Sequence, residues 1–322
     1  MRTSRREFSK RLVASAVLAG APSIVRAQPT FRIGSAVLGS YILAGPIVVA
    51  AEKGFFRDQG VSAEFIPFRG GPDLVKAVLA GEVLVGLTGA TDIIVFREAG
   101  MPIRMTATQG EGNDFVLVGP PDGVRVTELK GKAIGVTRAG AATWVFARMA
   151  AKAQGWDPDR DVKIVALGGL DAQLAALARK EIAAYVWGDY GASTEAQGRT
   201  KLVFRLDSLT PRWISSIQYS SEEQIRRHAD PIRRATRAIF QAMRFMKAQP
   251  VEAATLLAPK LGWTADMATA VHRAWLPYFP EDGHINPENL KAMQDTLLEA
   301  GSVKKRVPLD EHYTTEFTPV RA

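Results

Sequence analysis

LVKAVLAGEVLVGLTG occupies residues 74–89 and QLAALARKEIAAYVWG residues 173–188, an offset of 99. Each reads as an amphipathic helix followed by a short apolar strand that ends in glycine. Working outward, Gly70-Gly71-Pro72-Asp73 precedes the first copy and Gly168-Gly169-Leu170-Asp171 the second, at an offset of 98. Further upstream, Ile33-Gly34-Ser35 followed by Gly39 lines up with Ile134-Gly135-Val136 followed by Gly140, at an offset of 101. Short apolar and Gly-rich strings recur by chance, so one such match is weak. Three in order at nearly one spacing predict a duplicated unit of strand, helix, strand, helix and strand.

The rest of the chain fits that reading. Strands are predicted over 31–35, 63–68, 83–87, 103–108, 115–118, 133–137, 162–166, 183–187 and 202–205, with helices between most of them. From residue 221 the pattern turns helical, over 222–228, 231–247, 251–261, 265–275 and 287–300. Asp230-Pro231 and Asn286-Pro287 supply cap and first-turn signals there. The expected fold class is α/β: two lobes, each a parallel-type sheet flanked by helices, with a helical C-terminal part. In a right-handed parallel sheet the strand C-termini and the following helix N-termini share one edge. Two such edges facing each other would make a cleft rich in unpaired N–H groups, suited to a small polar or anionic molecule.

Composition narrows the function. The 322 residues are 47% hydrophobic and 23% charged, with no cysteine, which excludes disulfides, thiolate nucleophiles and Cys-ligated metal sites. The formal charge is +8, but residues 1–27 carry +5 of it through Arg2, Arg5, Arg6, Lys10, Arg11 and Arg26 against Glu7. The remaining +3 over 295 residues gives no footprint for nucleic acid. Residues 1–27 read as a targeting segment: a basic start, an apolar run over 12–21, and a small-residue site with cleavage expected after Ala27. Within it, Ser4-Arg5-Arg6-Glu7-Phe8-Ser9-Lys10 resembles a twin-arginine export signal, departing at Ser9 where leucine is usual. The expected location is the periplasm, reached through the twin-arginine export machinery.

A wider resemblance rests on Ala51-Glu52-Lys53-Gly54-Phe55-Phe56 with Gly60-Val61 and Glu64, then Gly70-Gly71 and Leu79-Ala80-Gly81-Glu82-Val83. It continues through Leu129-Lys130-Gly131-Lys132, Ile134-Gly135-Val136, and residues 234–250 followed by Glu252-Ala253. The chain resembles the periplasmic substrate-binding proteins of ABC importers, of the NMT1/THI5-like type that includes nitrate, sulfonate, taurine and thiamine-pyrimidine binders. The resemblance implies a two-lobed, type II-like flytrap. Lobe 1 would be 29–112 plus 218–322 and lobe 2 would be 113–217, joined by two hinge strands near Glu111 and Ser216. It further implies a monomer that traps a small-molecule ligand and presents it to an ABC permease and its ATPase. Leu84 and Ala183 stand where the family often has Asp, and Lys180 replaces the second-lobe glycine.

Candidate ligand contacts lie where strands run into helices. Ser35, Ser40 and Tyr41 flank the loop after the first strand, with local capping as the alternative use of Ser40. Gly70 and Gly71 would let a ligand approach the backbone, or make only the turn before an Asp73 cap. Thr88 and Thr91 place hydroxyls beside free N–H groups. Opposite them, Arg138, Gly140 and Thr143 form the matching second-lobe turn. Arg138 is either the partner of an anionic group or a solvated surface residue. Trp187 is either a flat wall, together with Tyr41, Trp144 and Trp213, or core. Asp189 either accepts from a ligand N–H or caps the following helix.

No catalytic set, metal spacing or cofactor loop emerges, and the four histidines read as surface residues. The expected function is a receptor, not an enzyme, for a small anionic organic molecule such as a sulfonate, an aromatic carboxylate or a heterocycle. The rivals are an exported enzyme acting on a small aromatic or carboxylate substrate, and a ligand-sensing partner of a membrane kinase. A cleft acid or base with a displaced pKa would favour the enzyme.

Overall fold

Residues 30–37 and 40–321 are described by the structure, a computed structural model. The targeting segment expected over 1–27 and the loop glycine Gly39 lie outside the described residues.

The chain opens with β1 (Thr30–Ser35), α1 (Tyr41–Glu52), α2 (Phe55–Asp58) and β2 (Ser62–Pro67). It continues with α3 (Gly71–Leu79), β3 (Val85–Thr88), α4 (Ala90–Glu98) and β4 (Ile103–Glu111). It then crosses into a second unit of β5 (Val116–Gly119), β6 (Ala133–Val136), α5 (Ala142–Ala153), β7 (Lys163–Ala166) and α6 (Leu170–Ala178). That unit closes with β8 (Ala184–Trp187), α7 (Ala192–Glu195) and β9 (Lys201–Arg205). The chain returns through β10 (Ile214–Ser221) into α8 (Glu222–Ala248), α9 (Pro250–Leu261), α10 (Ala265–Trp275), α11 (Pro287–Glu299) and α12 (Leu309–His312).

The two sheets have strand orders β2-β1-β3-β10-β4 and β7-β6-β8-β5-β9. The internal repeat is therefore architectural: β1, β2 and β3 hold the same places in the first sheet as β6, β7 and β8 in the second. Parallel pairing follows in each, with Ile33 level with Phe65 and Val85, and Ile134 level with Ile164 and Ala184. The expected parallel sheets are mixed in one respect. Each contains a single reversed strand, β10 or β5, antiparallel to both its neighbours. Each reversed strand is the first one laid down after the chain crosses between lobes, so the two sheets are related halves closed by exchanged connections.

The crossings run side by side, with the Gly112 N–H donating to the Trp213 carbonyl at 2.9 Å. Ile214 pairs with Glu111 and Ser216 with Gly110, so residues 214–217, assigned to lobe 2 from the sequence, belong to the first sheet. The sheet to which a connecting strand belongs is chosen by its hydrogen-bonding partner, which here lies a hundred residues away.

Lys180 confirms the register of the duplication. It adopts φ +58° at the place matching Gly81, φ +77°, so a residue with a Cβ occupies a turn built for glycine. Two of the histidines are also corrected. His272 is 3% exposed and hydrogen-bonded to the Tyr41 hydroxyl, and His312 is 0% exposed with Nε2 2.9 Å from Gln294 Nε2. Burial holds both imidazoles below the usual range, His312 at about 4, so they serve as neutral polar members of the helical layer.

Candidate functional site

Four helices begin at one place: α1 after Ser40, α3 after Gly70, α4 after Gly89 and α5 after Ala141. None of these four starts carries a side-chain cap, and all four preceding residues line one cavity of about 70 Å³ between the lobes. The starts of α4 and α5 belong to different lobes yet touch: a Cβ built on Gly89 would stand 3.3 Å from the Ala142 Cβ. Unpaired N–H groups and positive dipole ends therefore converge on the cleft from both sides.

A carboxyl group of the protein answers them. Asp92, in the first turn of α4 and 2% exposed, accepts from the Thr88 hydroxyl through Oδ2. A Cβ on Gly71 would collide with that carboxyl, so only glycine admits it there. Burial pushes Asp92 up to about 7, with Thr88 and the Ala142 N–H across the cleft partly offsetting the rise. Its Oδ1 has no hydrogen-bond partner.

Two further carboxyls line the cavity from the second lobe. Asp114, just before β5 and 4% exposed, accepts from the Asp189 N–H through Oδ2 at 2.6 Å, while its Oδ1 has no partner. Asp189, also 4% exposed, adopts φ +55° after Trp187-Gly188, and neither of its oxygens makes an aligned hydrogen bond. Burial raises both to about 7; for Asp189 the neighbouring Ser193 partly offsets the rise and the Asp114 charge adds to it. Among the described residues no three acidic or histidine side chains converge closely enough to hold a metal ion. Trp187 and Phe115 supply aromatic surface to the cavity, and the Ser215 and Ser216 hydroxyls line it without hydrogen-bond partners.

Of the residues singled out from the sequence, Ser40, Gly70, Gly71, Thr88, Thr143, Trp187 and Asp189 are brought together at this cavity. Thr143 does so while closing its own turn, its Oγ accepting from the Thr137 N–H at 3.0 Å. The other five stand elsewhere. Ser35 is fully buried and donates to the Val37 carbonyl at 2.9 Å. Tyr41 is not a cleft wall: it is fully buried, stacked with Trp263 and Phe279 at centroid distances of 6.0 and 6.4 Å, because the first turn of α1 faces α10. Thr91 is buried on α4, away from the cavity. Gly140, φ +77°, makes its turn in open space. Arg138 is drawn aside into an ion pair with Asp73, Nε to Oδ2 3.0 Å. Trp213 packs on Phe146 in the core at 5.0 Å, and Trp144 lies under the Arg148 guanidinium.

Asp92, Asp114, Phe115, Ser215 and Ser216 were missed. Asp92 sits in the very turn selected for its threonines, where a buried carboxyl is legible only once Gly71 is seen against it. The other four lie on the two crossings, which the repeat does not contain. The one available signal was polarity, Asn113-Asp114 and Ser215-Ser216, next to expected hinge strands.

The sequence profile of the family described as NMT1/THI5 like matches residues 44–253. A protein of Brucella abortus (strain 2308), whose name assigns it provisionally to the binding proteins, is 23% identical over 334 residues, covering 97% of this chain and 98% of that one. The alkanesulfonate-binding protein SsuA of Xanthomonas axonopodis pv. citri, solved bound to MOPS, superposes with a TM-score of 0.74 at 18% identity, over 87% of this chain and 96% of that one. The desulfurization enzyme DSZB superposes with a TM-score of 0.60 at 16% identity, over 90% of this chain and 97% of that one. At these identities the two solved structures establish a shared fold, and the profile match over more than half the chain establishes descent: the chain belongs to the NMT1/THI5-like family.

Proposed function

We propose that this chain is the periplasmic solute receptor of an ABC importer, closing two lobes around one small organic molecule and presenting the closed form to a membrane permease powered by its ATPase. The observation that carries the reading is a cavity shared by both lobes, lined by four uncapped helix starts and by both interlobe crossings. A ligand held there touches both lobes only when they are closed, so its binding energy is spent on closure. The binding-protein name of the Brucella relative and the sulfonate ligand class of the Xanthomonas neighbour point the same way. The basic, apolar and small-residue order of residues 1–27 supports export by the twin-arginine route with cleavage after Ala27.

One observation favours a second reading, an exported enzyme. Three cleft carboxyls held near 7 have the protonation balance a general acid or base needs, and DSZB places an enzyme on this fold. The receptor reading takes precedence because the cavity is lined by both lobes and by both crossings between them, the arrangement that closure around a ligand requires.

The test is a thermal-shift screen of residues 28–322 against small sulfonates, carboxylates, amines and heterocycles, followed by scattering and recovery of each hit. A ligand at 100 times its dissociation constant adds about 2.7 kcal/mol of stability. A hit that shrinks the radius of gyration and returns unaltered supports the receptor. A hit returned as product makes the protein an enzyme.

A further inference from the structure

Anion recognition at this cleft was expected to rest on converging helix starts and on Arg138. Arg138 is engaged by Asp73, and among the residues lining the cavity there is no lysine or arginine. Two of the four helix starts, those of α4 and α5, are answered as well. Asp92 brings a carboxyl to the place where α4 and α5 meet, which is where an anionic ligand would sit to collect the same N–H groups. Gly71 is the complementary adaptation, since its missing side chain makes the space that carboxyl occupies.

The unmet polar atoms are of the opposite kind. Asp92 Oδ1 and Asp114 Oδ1 are acceptors when ionised, both on side chains at least 96% buried, and neither has an aligned donor, while Asp189 beside them faces only the Ser193 hydroxyl and the Ser193 and Gly191 N–H groups. Buried acceptors without donors are costly, and a ligand carrying N–H groups or positive charge relieves that cost. The indole of Trp187 and the ring of Phe115 on the same wall favour a cation over an anion for the same electrostatic reason.

We propose, on the basis of the receptor reading above, that the cleft selects a small organic cation over an anion: Asp92 fills the anion position between the starts of α4 and α5, and the free Oδ1 of Asp114, with the Asp189 carboxyl beside it, receives the ligand's N–H groups. The carboxyls are held partly protonated by burial, and an arriving cation stabilises their ionised forms.

The experiment is calorimetry with matched probes: benzamidinium and benzylammonium as cations, benzyl alcohol as the neutral comparison, benzoate and benzenesulfonate as anions. The cations should bind at least tenfold more tightly than the anions. Asp114→Asn should weaken benzamidinium at least tenfold, while its unliganded melting temperature shows that the fold is intact. Asp92→Asn should narrow the discrimination by admitting benzenesulfonate more readily. Should Asp114→Asn fail to fold, Asp189→Asn carries the same expectation. Anions that bind the unaltered protein more tightly than the cations overturn the proposal, and so does the absence of binding by both cations. The receptor reading survives either result, and fails separately if a bound probe is chemically converted or if binding leaves the radius of gyration unchanged.

Discussion

Arg138 on the second lobe and Asp73 at the start of α3 on the first form an ion pair, Nε to Oδ2 3.0 Å, with the arginine stem lying against Gly70. The side chains are 42% and 36% exposed, so the pair acts as a solvent-screened latch between lobes and not as a buried anchor for a ligand. A second cross-lobe contact stands on α5, where Lys152 donates to the Glu299 and Ala300 carbonyls at 3.1 and 2.7 Å and so complements the C-terminus of α11.

Removal of the latch should therefore loosen closure modestly. Arg138→Ala is expected to weaken ligand binding by no more than about 1 kcal/mol, the scale of an exposed ion pair, and Asp73→Asn should do the same. Loss of a direct charge partner would instead cost about 2–5 kcal/mol. Calorimetry on the two variants decides between a latch, for which their effects match, and a ligand contact, for which Arg138→Ala is far the larger.

Asp92 makes the protein less stable as pH rises. Its folded pKa of about 7 lies above the ordinary value of 3.8, so the folded protein holds this proton more tightly than the unfolded chain. The associated stability is fully present below about pH 4 and is lost as pH rises toward 7. Asp92→Asn, neutral throughout, should be more stable than the unaltered protein at pH 8 by roughly 1–3 kcal/mol, and should lose that advantage at pH 4. Denaturant melts at the two values measure it, and an advantage that is equal at both pH values would contradict the assignment.

Trp187, 3% exposed at the end of β8, is the tryptophan placed on the cavity wall. Ligand binding should change tryptophan emission, and Trp187→Phe should remove most of that change while preserving affinity within about tenfold, since a flat apolar wall remains. Emission that still responds fully would place the reporting indole elsewhere, with Trp144 the next to replace.

Lys180, φ +58°, occupies a turn whose first-lobe counterpart is Gly81. A left-handed conformation costs an L-residue roughly 1–2 kcal/mol, while glycine adds about 0.4–1 kcal/mol of unfolded-state entropy. Lys180→Gly should accordingly stabilise the protein by up to about 1 kcal/mol, readable as a higher urea midpoint with an unchanged slope.

The amino-acid order by itself determined the repeated unit, because helix and strand periodicities and the glycines of their turns are local properties. Strands β1, β2 and β3 and their partners β6, β7 and β8 were legible for that reason, as was the edge at which they run into helices. The strand-end threonine Thr88 and the wall residue Trp187 came with that edge. Tertiary structure decided what two distant segments do to each other. Tyr41 stacks on Trp263 and Phe279 only because α1 meets the C-terminal helices, and Arg138 leaves the cleft only because Asp73 lies opposite it. Asp92 becomes a cleft acid because Gly71 and the start of α5 enclose it. Burial and pairing are sums over neighbours far apart in sequence, and a carboxyl's charge, a tyrosine's exposure and an arginine's partner are all set by those sums.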